Sequence, residues 1–141
     1  MALQVLFCMD VLQDDSQDLM QELCTLLEPS EKVHPFGLAL VRGVIAKKDE
    51  IDSRLAEVSS NWKLSRMDYV DRNVIRIAVY EILFCDDIPP KVAINEAIDI
   101  GKKYGTEKSG AFINGILDSI RQQCVHCNPK RSHECEIDRS S

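Results

Sequence analysis

With 141 residues, 45% of them hydrophobic and 28% charged, the chain is sized for one compact domain with a substantial core. Seventeen basic against 23 acidic residues give a net charge of −6, which excludes a surface coated throughout in phosphate-binding lysines; any contact with nucleic acid needs a local basic patch. No run approaches the roughly 20 apolar residues of a membrane span, and the opening MALQVLFCMD has no basic leader and is interrupted by Asp10, so the chain reads as cytoplasmic, with neither anchor nor secretory signal.

Aromatic residues are scarce at 6%, and Gly and Pro number only 6 and 5, while Leu, Ile, Val and Ala dominate. This composition favours an all-α fold of packed helices over a sandwich or barrel. The first apolar run, Ala2 to Met9, starts without a polar cap. Ser16 is placed to cap a second helix, in which Leu19, Met20, Leu23, Leu26 and Leu27 recur at helical spacing before Pro29 stops it. One longer helix is predicted after His34-Pro35, carrying Leu40, Val44, Ile51, Leu55 and Val58 on one stripe, with Gly43 marking a close helix crossing.

Ser65 and Asp68 form a capping-box-like start to the next helix. From Val74 to Phe84 that helix is apolar nearly all round, so it should be the central strut of the domain. Pro89 and Pro90 begin the following helix, with Ile94, Ala97, Ile98 and Gly101 inward and Gly105 as a left-handed stop. A last helix starts near Thr106 or Ser109 and turns Ile113, Ile116, Leu117 and Ile120 inward. Six helices are expected, with a turn around Asn61–Leu64 as a seventh, in a helical domain spanning residues 1–123; the polar segment 124–141 has no period and reads as a disordered tail.

No nucleophile–base pair, Gly-rich phosphate loop or metalloprotease helix is present, so the chain does not read as an enzyme and no cofactor is expected. Cys124, Cys127, His133 and Cys135 are ligand types zinc accepts, but their spacing is short and Asn128 to Arg131 has no hairpin pattern. The tail is therefore read as carrying free thiols, without a metal. Cys8, Cys24 and Cys85 lie in or at the end of apolar helical runs and read as reduced residues in or near the core. Arg72, one turn after Asp68, reads as a salt-bridged surface residue; Arg76, embedded in VIRIAVYEI, needs a carboxylate partner such as Glu81 or Glu96.

The stretch YGTEKSGAFING is the candidate binding element. A helix starting near Ser109 offers N–H groups and a positive dipole end to a phosphate, Lys102, Lys103 and Lys108 surround that entrance in sequence, and Phe112 falls on the first turn. Such a cationic entrance beside an exposed aromatic can clamp a single-stranded RNA base; the alternative is that Phe112 packs under the loop and the lysines only solubilise it.

VDRNVIRIAVYEI, IPPKVAINEAIDIGKKYG and FINGILD, in this order and spacing, resemble the NusB family of transcription antitermination proteins. The resemblance is strongest from Arg66 to Ile120 and weaker back to ALQVLF. It implies a fold of two packed helical subdomains and a non-catalytic role: binding single-stranded boxA-like RNA of ribosomal RNA leaders with the ribosomal small-subunit protein NusE, inside an RNA polymerase antitermination complex. It further implies RNA-facing roles for Phe7, Asp71 and Phe112; Lys108 departs from the acidic residue common there. Pro90 and Lys91 are expected in a loop near the protein partner. Related helical domains precede the catalytic domain of RsmB-type rRNA cytosine methyltransferases, so a free-standing relative of that module is an alternative, as is a protein-binding or self-associating scaffold with weak RNA contact. A homodimer and a monomer both suit such a fold. Family members carry an Arg-rich arm before the segment matching ALQ, so the uncapped opening implies a chain that begins late, a frayed first helix and weaker RNA binding.

Overall fold

The computed structural model describes residues 2–27, 35–59 and 66–127. Pro29, His34, the Asn61–Leu64 turn, Ser65, His133 and Cys135 lie outside them, as do the side chains of Cys124 and Cys127. The described residues form seven helices and no strand: α1 (Ala2–Leu12), α2 (Gln17–Leu27), α3 (Pro35–Ala46), α4 (Lys48–Val58), α5 (Tyr69–Phe84), α6 (Pro90–Tyr104) and α7 (Ser109–Cys127).

α5 is the strut its sequence predicts. Every residue from Asp71 to Val79 is buried, together with Ile82 and Leu83, and the helix packs against α1, α3, α4, α6 and α7. An all-round apolar surface can be covered only in this way. Asp68 caps it by accepting from the Val70 N–H. On one side α1 packs on α2 and α3; on the other α6 and α7 pack on each other, and α4 reaches α7. The fully buried side chains Val5, Met9, Val41, Ile51, Ile75, Ile82 and Leu117 join these groups into one continuous core.

The single helix predicted after Pro35 is two. Lys47, with φ −106° and ψ 11°, breaks the run for one residue, while Asp49 and Glu50 fall in the first turn of α4, where carboxylates favour a helix start. The inward stripe survives the break, since Val44, Ile51 and Leu55 are all buried. α2 starts as predicted, with the Ser16 hydroxyl accepting from Leu19 N–H at 3.2 Å. α7 runs on to Cys127, beyond the end expected at Gln123. Cys8, Cys24 and Cys85 are in no disulfide and sit in half-buried positions.

α1 ends in a motif that its sequence does not advertise. Gln13 takes φ 53°, the Asp14 N–H reaches the Met9 carbonyl and the Gln13 N–H the Asp10 carbonyl, both at 3.1 Å. This is a Schellman ending with glutamine in the left-handed position that usually takes glycine. Gln13→Gly should therefore stabilise the fold by about 0.5 kcal/mol, the relief of left-handed strain exceeding the extra entropy of a glycine in the unfolded chain. Thermal unfolding checks the sign; a lower midpoint would contradict it. Gly105 is the converse case. Its φ of −98° is not left-handed, contrary to the expected stop; glycine is needed because a Cβ would run into Ser109 Oγ and stand 2.7 Å from the Gly101 carbonyl.

Arg76 is buried, as its apolar surroundings require, but its partners are Asp52 and Asp10 rather than Glu81 or Glu96. Its Nε and Nη2 donate to the two Asp52 oxygens, each at 2.9 Å, and Nη1 donates to Asp10 Oδ2 at 3.3 Å. Arg72 is likewise buried and not a surface partner of Asp68: its Nε donates to the same Asp10 oxygen at 2.9 Å, as does Asn73 Nδ2. One α1 carboxylate thus gathers three α5 side chains, and α4 supplies the second carboxylate. Burial alone would raise the Asp10 carboxyl, but hydrogen bonds from Arg72 and Asn73 and the Arg76 and Arg72 charges hold it below the ordinary aspartate value.

Candidate nucleic-acid interface

The site grows from the junction between α6 and α7. The turn Gly105–Lys108 is closed by reciprocal side-chain bonds: Ser109 Oγ accepts from Thr106 N–H at 2.9 Å, and Thr106 Oγ1 accepts from Lys108 N–H at 3.3 Å. Ser109 N–H bonds the Thr106 carbonyl at 3.1 Å. Thr106 is in effect the cap of α7, and Ser109 answers it three residues on. The consequence differs from the expectation of a helix entrance with free N–H groups. The N–H groups of Thr106, Lys108 and Ser109 are already bonded within the turn, and Ser109 itself is fully buried, so it shapes the loop rather than offering its hydroxyl to a ligand.

The remaining predicted residues assemble around this turn. Lys102 and Lys103 occupy the last turn of α6, where cations complement the helix dipole, and both are exposed. The Lys102 stem runs over Gly110, whose missing side chain leaves room for it. Lys108 is exposed at the mouth of α7. Phe112, in the first turn of α7, is half-buried and packs against the core, so its ring is shared between interior and surface rather than displayed outright.

From α5, Asp71 reaches the same turn. It is buried beside Ser109, and its Oδ1 has no hydrogen-bond partner. Burial pushes the Asp71 carboxyl above its ordinary value, and the nearby Asp68 charge adds to this, against the pull of the Ser109 hydroxyl. Two residues earlier, Tyr69 is exposed and meets Phe7 of α1 edge-to-face, with centroids 5.8 Å apart; the Arg72 guanidinium lies 4.8 Å over the same Tyr69 ring. Tyr69 was not visible as a site residue in the sequence, because nothing in a helix N-terminus says which distant ring it will meet. Tyr104 was also missed; it is 57% exposed, with Lys103 Nζ 5.2 Å over its ring.

Pro90 and Lys91 do not join this assembly and do not form a loop. They open α6, and Lys102 follows Lys91 by 11 helical steps, about 17 Å along the axis. Among the described residues no group of carboxylate, His or Cys side chains is arranged to hold a metal, and no helix is long and apolar enough to cross a membrane.

The NusB family model matches residues 1–122. The transcription antitermination protein NusB of Desulfosudis oleivorans is 52% identical over 126 residues, which cover 87% of this chain and 82% of that protein. Among solved structures, T. maritima NusB aligns with a TM-score of 0.76 and 37% identity over 86% of each chain. A chain from a crystal structure of the antitermination factors NusB and NusE in complex with double-stranded RNA aligns with a TM-score of 0.74 and 29% identity, covering 86% of this chain and 90% of that one. Matched over nearly all its helices, with the apolar α5 strut and the α6–α7 turn in place, this chain belongs to the NusB family.

Proposed function

We propose that this chain is a non-catalytic, cytoplasmic transcription antitermination factor that binds boxA-like single-stranded RNA together with the ribosomal protein NusE. Family membership supports the role, and the similar structure of NusB and NusE with double-stranded RNA supports NusE and RNA as partners. The observation that carries it to particular residues is the grouping of exposed Lys102, Lys103 and Lys108 and half-buried Phe112 at the α6–α7 turn; the Phe7–Tyr69 ring pair of α1 and α5 adds a stacking surface. Cations beside rings suit a single strand, whose phosphates and unstacked bases need both. Asp71 is buried and its partnerless Oδ1 has no exposed surface, so it supports the turn rather than meeting the strand. The helical unit through α7 is the binding module.

The test is a titration of boxA-like single-stranded RNA, with and without NusE, over a range of salt. Tight binding to NusE with no RNA gain in the ternary mixture would favour the protein-binding scaffold. Lys102→Ala combined with Lys108→Ala should lower the log–log salt slope by about 1.4, two phosphate contacts on a single strand at about 0.7 each. An unchanged slope would remove these lysines from the interface.

A further inference from the structure

Tyr69 opens α5 with 38% of its surface exposed, yet buried groups hold it in place. The Arg72 guanidinium lies 4.8 Å from the ring centroid, and Phe7 of α1 meets the ring edge-to-face. Arg72 is itself fixed: its Nε donates to Asp10 Oδ2 at 2.9 Å, and the two side chains are only 10% and 11% exposed. Asn73, which donates to the same Asp10 oxygen, also donates to the Tyr69 carbonyl at 2.8 Å. One buried network therefore sets both the ring and the backbone of an exposed aromatic. We propose that Tyr69 is the platform on which one unpaired RNA base stacks, and that Arg72, held by Asp10, is the positioning residue that keeps the ring ready.

Tyr69 has this part within the single-stranded RNA binding proposed above and depends on it. A base that lands on a freely rotating ring must also immobilise it; here folding has already met that cost. Phosphate is the wrong group for this place, since Asp68 and Asp71 flank Tyr69 in sequence and Asp10 matches the Arg72 charge. The face of a neutral base, by contrast, suits an aromatic ring that carries a guanidinium. Two residues on, Asp71 lies beside Ser109, so the first turn of α5 links the ring to the lysine-bearing α6–α7 turn. Tyr104 is more exposed, at 57%, but the cation over it is Lys103, itself exposed and on a flexible stem.

The experiment titrates a boxA-like single-stranded RNA, and a series of the same RNA lacking one base at a time, into the full chain at several salt concentrations. The variants are Tyr69→Phe, Tyr69→Leu, Arg72→Lys and the last two combined. Tyr69→Leu should weaken binding about tenfold, the effect of one lost stacked base, with the salt slope unchanged because no phosphate contact goes with it. Tyr69→Phe keeps the ring and should stay within about twofold of the parent. One of the abasic RNAs should bind the parent more weakly than the complete RNA does, and Tyr69→Leu no more weakly. Arg72→Lys keeps the charge without the planar fork, and should weaken binding severalfold in the parent but not in the Tyr69→Leu background. Thermal unfolding of each variant, with binding measured well below the lowest midpoint, separates loss of the platform from loss of the fold. Parent-like affinity of Tyr69→Leu, or a loss that no single abasic RNA reproduces, overturns the platform while leaving RNA binding intact. An equal loss from Arg72→Lys in both backgrounds overturns its positioning role. If the parent chain binds no RNA, the RNA reading fails and Tyr69 with it.

Discussion

Arg76→Ala is expected to cost about 3–5 kcal/mol of folding stability, a large part of the 5–15 kcal/mol that a domain of this size commonly has. The cost comes less from lost attraction than from what is left behind. Asp10, with an 11% exposed side chain, loses one of its cationic neighbours, and Asp52 loses a two-pronged guanidinium that no water can replace in the same geometry. Arg76→Lys should fall between the parent and the alanine variant, since it keeps the charge but cannot make the fork. Urea unfolding measures all three; an alanine loss under about 1 kcal/mol would show that the cluster is solvated rather than buried.

The same cluster fixes an acid limit. A carboxyl held below its ordinary value contributes stability that is fully present above the unfolded aspartate value and is lost as pH falls through the folded one. For Asp10 that window lies below about 3.9, the unperturbed value. Asp10→Asn should therefore lower stability at neutral pH and flatten the part of the acid limb that Asp10 supplies. An unaltered slope in acid unfolding would mean that other carboxyls dominate.

Gly43→Val is the second large effect, about 3 kcal/mol. An added Cβ at position 43 would fall inside the Tyr80 ring and its hydroxyl, so α3 and α5 cross here only because no side chain stands between them. Overpacking of this kind costs about 1–3 kcal/mol, and here the obstacle is a rigid ring. Valine recovers little by helix propensity, being β-branched. Because the conflict is with one partner, Tyr80→Ala should absorb part of it: the double variant is expected to lose less than the two single losses added together. Strict additivity in urea unfolding would place the strain elsewhere.

Gly43 also shows how far the sequence could be read. A lone glycine in an apolar helical stripe announces a close approach, but Tyr80 as the neighbour follows only from how α3 lies on α5. The strut α5 was legible because burial on every face is written in its residues, and the inward stripes of α6 and α7 because helical spacing repeats locally. Lys102, Lys103 and Lys108 could be grouped because they sit within one short stretch. The Lys47 break could not be seen, since a one-residue interruption leaves the stripe in phase.

By itself, then, the sequence determined the all-helical class, the central helix, the facing of the later helices and the family, all consequences of periodicity and of long ordered motifs. Only the tertiary structure decided that Asp10 and Asp52 hold Arg76, that Tyr69 joins Phe7 to Arg72, and that Ser109 is buried beneath its own turn. Spacing along a helix sets which side chains share a face; the partner across that face comes from 24 to 66 residues away for Arg76, and is chosen by the packing of whole helices.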